Sequence, residues 1–185
     1  MGTKVGKIKF SELTRVQIPA VMHLIRLGYT FLSRKSKEIL ERDPETNILV
    51  SVFREQFLKI NNYAQDKDFE DELNNIKLEL NQNDLGRSFY KRIQGEECEF
   101  IYIDWENLEA NTFHVAMEVT CQNGSEEFRP DIMIFINGLP LSYIEVKQPD
   151  VIRDGKTGIQ SEQDRVRYRF ENKKFRSFNN ITQLI

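Results

Sequence analysis

The stretch Arg129-Pro130-Asp131-Ile132-Met133-Ile134-Phe135-Ile136-Asn137-Gly138-Leu139-Pro140-Leu141-Ser142-Tyr143-Ile144-Glu145-Val146-Lys147 decides the fold. Two apolar runs flank the turn-forming residues Asn137 to Pro140, so the segment reads as two strands folding back on each other. Each strand carries an acid in an apolar setting. Asp131 opens the first, and Glu145 lies inside Leu141–Val146. A carboxylate so placed costs roughly several kcal/mol unless something compensates it. A divalent cation would do so, and two converging carboxylates suit Mg²⁺, a hard ion that prefers oxygen.

Strand geometry constrains this reading. Side chains alternate, so Glu145 and Lys147 share a face while Val146 points the other way. A two-residue Asn137-Gly138 turn pairs Ile136 with Leu139 and sends Asp131 to the face opposite Glu145. A three-residue turn pairs Ile136 with Pro140 and places Asp131 across from Glu145, about 5 Å away. A metal site therefore predicts the longer turn, or a bulge of the same effect. Such a site fits phosphodiester hydrolysis: the metal activates water and offsets charge building on the phosphorane oxygens. Lys147 either orients the water or stabilises that charge.

Outward from the hairpin, the residues before it read as helical. Val16, Ala20, Val21, Leu24 and Leu27 recur at helical spacing, with Pro19 in the first turns and Gly28 at the end. The same pattern runs over 47–60, and further amphipathic segments cover roughly 68–80 and 84–94. Phe100–Ile103 and 112–121 read as strands, a helix is expected near 158–171, and Ile181–Ile185 is apolar and β-like. That apolar close, without a polar tail, is expected of a chain that continues into further domains. The expected fold class is α/β (α+β mixed). A helical N-terminal part (1–95) packs on a central mixed sheet in the rest (96–185), forming one domain.

Composition excludes several classes. With 39% hydrophobic and 30% charged residues, the chain is neither a disordered tail nor a membrane protein. The N-terminus carries neither a signal peptide nor a myristoylation motif. Two histidines, His23 and His114, are too few for a His-rich zinc site. Cys98 and Cys121 stand apart and read as reduced structural thiols of a cytoplasmic protein. Asp150 to Thr157 ends like a phosphate-binding loop, but Asp150 stands where a glycine is needed, so no ATP site is expected here. The net charge of −3 hides an asymmetry: residues 66–84 are acidic and 165–176 strongly basic.

Pro130-Asp131 with Glu145-Val146-Lys147 matches the PD-(D/E)xK nuclease signature. The wider string, Phe128-Arg129-Pro130-Asp131-Ile132 through Asn137-Gly138-Leu139-Pro140-Leu141 to Lys147, closely resembles the N-terminal domain of the R subunit of type I restriction–modification enzymes. That resemblance implies a restriction-endonuclease-like core and a Mg²⁺-dependent DNA endonuclease, with Mn²⁺ able to substitute. It also implies ATP-driven motor domains further along the subunit, and methyltransferase and specificity subunits as partners. Asp131 and Glu145 would bind metal, Lys147 would complete the catalytic site, and Glu12 is the candidate for an additional acid. Related nucleases carry Q-x-x-x-Y on the helix after the active-site strand. Gln163 and Tyr168 here are five apart and leave the common face, so Gln160 or Glu162 could substitute. Candidate DNA contacts are Gln163, Arg165, Arg167, Tyr168, Lys173, Lys174 and Arg176, although a basic run of this kind also fits a solvated helix face. The alternatives are a docking module with little activity alone, or a free-standing repair-type nuclease.

Overall fold

Asn137 and Gly138 both take positive φ, 50° and 83°. This is the two-residue turn that Asn-Gly favours, because its twist matches that of the flanking strands. The computed structural model describes residues 13–96, 98–147, 152–153 and 156–184. In chain order the elements are a π-helical turn (Leu13–Gln17), α1 (Ile18–Arg26), β1 (Thr30–Leu32), α2 (Lys37–Leu40), α3 (Val50–Ile60), α4 (Asp66–Leu80) and α5 (Arg87–Ile93). Then follow β2 (Phe113–Met117), β3 (Cys121–Asn123), β4 (Glu126–Phe128), β5 (Ile132–Ile136), β6 (Leu139–Ile144), β7 (Ile152–Arg153), β8 (Lys156–Thr157), α6 (Gly158–Glu171) and α7 (Arg176–Ile181). The fold is α/β, as the sequence predicts. Its central sheet runs β1-β2-β5-β6, with β1 parallel to β2 and the other pairs antiparallel.

The two sheet faces are covered differently. Val115 and Ile132 pack under Val21 of α1, while Met133, Phe135 and Tyr143 pack against Leu49, Phe175 and Phe178. A helical layer extends the core beyond the hairpin tip. Phe53, Phe57, Phe69 and Ile76 meet Tyr102, Leu139, Leu141 and Ile181 there. The tip itself is locked. Asn137 is fully buried; its side chain accepts from Thr112 N and donates to Tyr102 O and Asn111 Oδ1, all at 2.7–2.8 Å. A Cβ on Gly138 would lie 2.7 Å from Phe53 N and 2.8 Å from Leu49 O, so only glycine fits against the start of α3.

The turn is therefore the short one, with Ile136 paired to Leu139. By Ile134 the partner is Ser142, so one extra residue has entered β6: Pro140 and Leu141 together oppose Phe135. Proline has no N–H to give a ladder, and a bulge is where a sheet accepts one. Register then runs Met133 to Tyr143 and Ile132 to Ile144. One step on, Asp131 faces Glu145.

Four expectations change. Phe100–Ile103 is not a strand: Ile101 exchanges both backbone bonds with the Asn61 side chain at 2.8 Å, and Tyr102 O accepts from Asn137. Two buried amides thus take the place of a neighbouring strand. The run over 112–121 breaks at Glu118, whose φ is 54°, and its continuation joins a separate hairpin of β3 and β4. The N-terminal part contributes an edge strand, β1, too short for periodicity to show. Ile181 ends a helix, and of the closing segment Leu184 alone among the described residues bridges to Ser142.

Candidate functional site

Asp131 sits one residue before β5. Its Oδ2 accepts from Val146 N at 2.7 Å, which ties the two strand ends together. Glu145 and Lys147 follow β6 and share a face, with Lys147 Nζ 3.9 Å from Glu145 Oε2. The bulge thus brings the three predicted residues together. Glu145 is nearly enclosed, its side chain only 9% exposed. Burial pushes its carboxyl above the ordinary carboxylate range, and the charges of Glu162 and Asp131 push it further, against Arg169.

Arg169 holds the site. One guanidinium nitrogen donates to Glu145 Oε1 at 2.9 Å and the other to Glu162 Oε1 at 3.0 Å. The guanidinium also lies 4.7 Å from the centre of the Phe128 ring. Burial works to lower its pKa, but the two carboxylates outweigh that and raise it, so the charge is fixed. Glu162 meets Lys147 Nζ at 3.4 Å and Arg165 at 3.3 Å. It stands seven residues before Arg169, two helical turns, so both point from one face of α6. Three acids and two buried or half-buried cations converge here.

α6 starts where Thr157 caps it. Thr157 Oγ1 accepts from Gln160 N at 3.2 Å, and Gln160 Oε1 accepts from Thr157 N at 3.0 Å. This reciprocal box engages Gln160, which leaves Glu162 as the residue that α6 turns into the site. Tyr168 is 61% exposed and points away. Gln163 and Arg167 are exposed and line a cleft beside Glu145, whereas Arg165 pairs with Glu162. The basic run does not form one row. Lys174, though exposed, pairs with Glu126 at 2.8 Å, Arg176 donates to Asn81 O at 3.2 Å, and Lys173 is exposed. Glu12 lies outside the described residues. The sequence reading missed Arg169, because nothing in a run of basic residues says which one turns inward. A hint exists in the seven-residue spacing from Glu162.

Among the described residues, no three His, Cys, Asp or Glu side chains form a ready-made metal cage. An ion here would take one or two carboxylates and leave its other positions to water and phosphate oxygens, which is how Mg²⁺ usually binds. Asp131 and Glu145 fit that pattern: both are hard oxygen donors, and they stand close enough for one charge to be felt at the other. Cys98 and Cys121 are free; burial drives the Cys121 thiol up to about 12, so it is an inert packed group. Among the described residues no helix is long and apolar enough to cross a membrane.

Residues 9–185 match the family described as type I restriction enzyme R protein N terminus. Two relatives from Methanocaldococcus jannaschii agree. One, bearing the name type I restriction enzyme MjaIXP endonuclease subunit, is 31% identical over 99 residues, covering 48% of this chain and 8% of the relative. The other, the MjaVIIP endonuclease subunit, is 39% identical over 54 residues, covering 29% of this chain and 5% of the relative. The chain thus spans less than a tenth of either relative's length. The match to nearly the whole sequence makes this chain a member of the family of type I restriction enzyme R protein N-terminal regions.

Proposed function

We propose that the chain is a Mg²⁺-dependent DNA endonuclease domain with a PD-(D/E)xK site. It works as the nuclease part of a type I restriction enzyme R subunit. The observation that carries this reading is the bulge at Pro140-Leu141, which sets Ile132 across from Ile144 although the turn is the short one, and so brings Asp131, bonded to Val146 N, to the strand end that carries Glu145 and Lys147. A structural ion pair would have no need of that register shift.

Asp131 and Glu145 would hold the divalent ion, with Mn²⁺ able to replace Mg²⁺. When bound, the ion supplies Lewis acidity and charge neutralisation at the phosphate. The remaining work belongs to side chains. Arg169 ties down Glu145 Oε1 and leaves Oε2 facing Lys147. Glu162 steadies the Lys147 ammonium from the helix side. From there Lys147 can orient the attacking water or stabilise charge on the phosphate oxygens. ATP enters only through motor domains of the longer subunit, and the recognition site is chosen by methyltransferase and specificity partners in the cytoplasm.

Titration calorimetry with Mn²⁺ tests the metal site directly. Wild type binds and Asp131→Ala loses at least about tenfold in affinity; equal heats from the two proteins would remove the metal site. Plasmid cleavage in Mg²⁺ tests the chemistry, with activity expected to fall about 100-fold or more in Lys147→Ala. If DNA is bound but neither protein takes up metal or cuts, the domain is a docking module instead.

A further inference from the structure

Beside Glu145 and Lys147 opens a cleft of about 830 Å³ between the end of β6 and α6. Its lining is of two kinds: the charged Glu145, Lys147, Glu162 and Arg167 with the amide of Gln163, and the apolar Ile144, Ile159 and Val166, of which Ile144 and Ile159 are 37% and 52% exposed. Gln163 and Arg167 stand at its rim, both exposed.

The outside of a DNA duplex offers phosphates and sugars, and proteins hold these with cations and N–H donors. Branched aliphatic walls give a phosphate nothing. They suit the flat apolar face of a base, which a stacked duplex keeps inside. The volume falls within the roughly 300–1,000 Å³ of sites that enclose small organic ligands. A side-chain amide at the rim offers both a donor and an acceptor, as a base edge requires. The Arg167 charge complements the next phosphate along the strand.

We infer that this cleft receives an unstacked nucleobase next to the scissile phosphate, so that the domain prefers single-stranded or strand-separated DNA to intact duplex. This rests on the nuclease reading of the adjoining site. Unstacking a base costs energy in a duplex and almost none in a single strand, and a site that must accommodate a loose base turns that difference into selectivity. Ile159 is the wall residue best suited to test it, because half its surface is already open and its replacement leaves the core intact.

The chain and its Ile159→Ser variant are mixed with oligonucleotides carrying 2-aminopurine, whose fluorescence rises when it leaves the stack. Single-stranded, bubble and fully paired forms are compared, first without metal and then for cleavage in Mg²⁺. Wild type should brighten the single-stranded and bubble probes and cut them about tenfold faster than duplex, a ratio that Ile159→Ser collapses. The inference is overturned by equal or faster duplex cleavage, or by an enhancement that survives Ile159→Ser. Either result leaves the nuclease reading standing. Should nothing be cut, the fluorescence still decides: a rise lost in Ile159→Ser supports the base site, and no rise refutes it.

Discussion

Glu145 is held in a form that its surroundings disfavour. Its carboxyl titrates above the ordinary range because burial and the charges of Glu162 and Asp131 oppose its ionisation and outweigh the favourable Arg169. A raised pKa in the folded state means stability that is full below the unfolded value and falls as pH rises through the folded one. At neutral pH the ionised Glu145 therefore costs stability. Glu145→Gln removes that cost, keeps the shape and retains an acceptor for Arg169. It should raise the midpoint of thermal unfolding at pH 7 by roughly 2–4 °C while abolishing cleavage, and the gain should vanish below pH 4. Scanning calorimetry at the two pH values checks it; a lower midpoint at pH 7 would mean that Arg169 more than compensates the burial. Arg169→Met points the opposite way. It leaves Glu145 and Glu162 with only the longer contacts of Lys147 and, for Glu162, the exposed Arg165, an under-compensated pair that should lower stability by about 3 kcal/mol in urea titrations at pH 7.

The hairpin is the element on which these residues depend, and its short turn and its bulge act together. Asn137-Gly138 is legible in sequence as a turn, and the alternation of faces is legible as a demand on register. The Pro140 bulge was not separable from a longer turn, because both satisfy the demand. What separated them is tertiary: Gly138 fits so tightly on the first turn of α3 that the loop has no room for a third residue. Gly138 and Gly124 both take positive φ, 83° and 63°, but a Cβ on Gly124 would meet nothing within 4 Å. Gly124→Ala should therefore cost about 1 kcal/mol from backbone strain alone. Gly138→Ala adds a backbone clash and should cost about 3 kcal/mol or more. If the hairpin shifts to relieve the clash, Asp131 leaves Glu145, and Mn²⁺ binding falls along with stability. Urea titration beside calorimetry separates the two effects; a Gly138→Ala protein as stable as Gly124→Ala would show that the tip is not pinned. The strand wrongly read at Phe100–Ile103 has the same origin. Tyr102 and Ile103 are buried while Ile101 is half exposed, and the side chains of Asn61 and Asn137, distant in sequence, hold the backbone instead of a strand.

Across the whole molecule, the acidic stretch 66–84 proves to be two things at once. Periodicity makes α4 legible, but the charge asymmetry does not say which of its acids turn inward. Glu72 and Glu79 turn inward to Arg92 of α5, which also bonds Tyr102 Oη at 2.9 Å and Glu72 at 2.7 Å. Tyr102 in turn donates to Glu72. One guanidinium, with its side chain 13% exposed, thus joins α4, α5 and the irregular segment that carries Tyr102. Burial and the bond to Glu72 raise the Tyr102 phenol, so it stays protonated and remains a donor. For Arg92 the bond to Glu79 outweighs burial and raises the pKa, so its charge persists over the whole working range. Removing that charge with Arg92→Met strands two carboxylates in a half-buried pocket and should cost about 3–5 kcal/mol at pH 7. Urea midpoints for wild type, Arg92→Met and Arg92→Lys at pH 7 give the answer, with Arg92→Lys keeping part of the stability that Arg92→Met loses. An equal loss in both variants would mean that Arg92 does not contribute through its charge. This network also supports the layer against which the hairpin tip is locked, through Phe53 and Tyr102, whose rings meet at 5.7 Å. Arg92→Met should consequently weaken Mn²⁺ binding at the distant carboxylates only to the extent that it loosens Asn137, so its effect on affinity should stay well below that of Asp131→Ala.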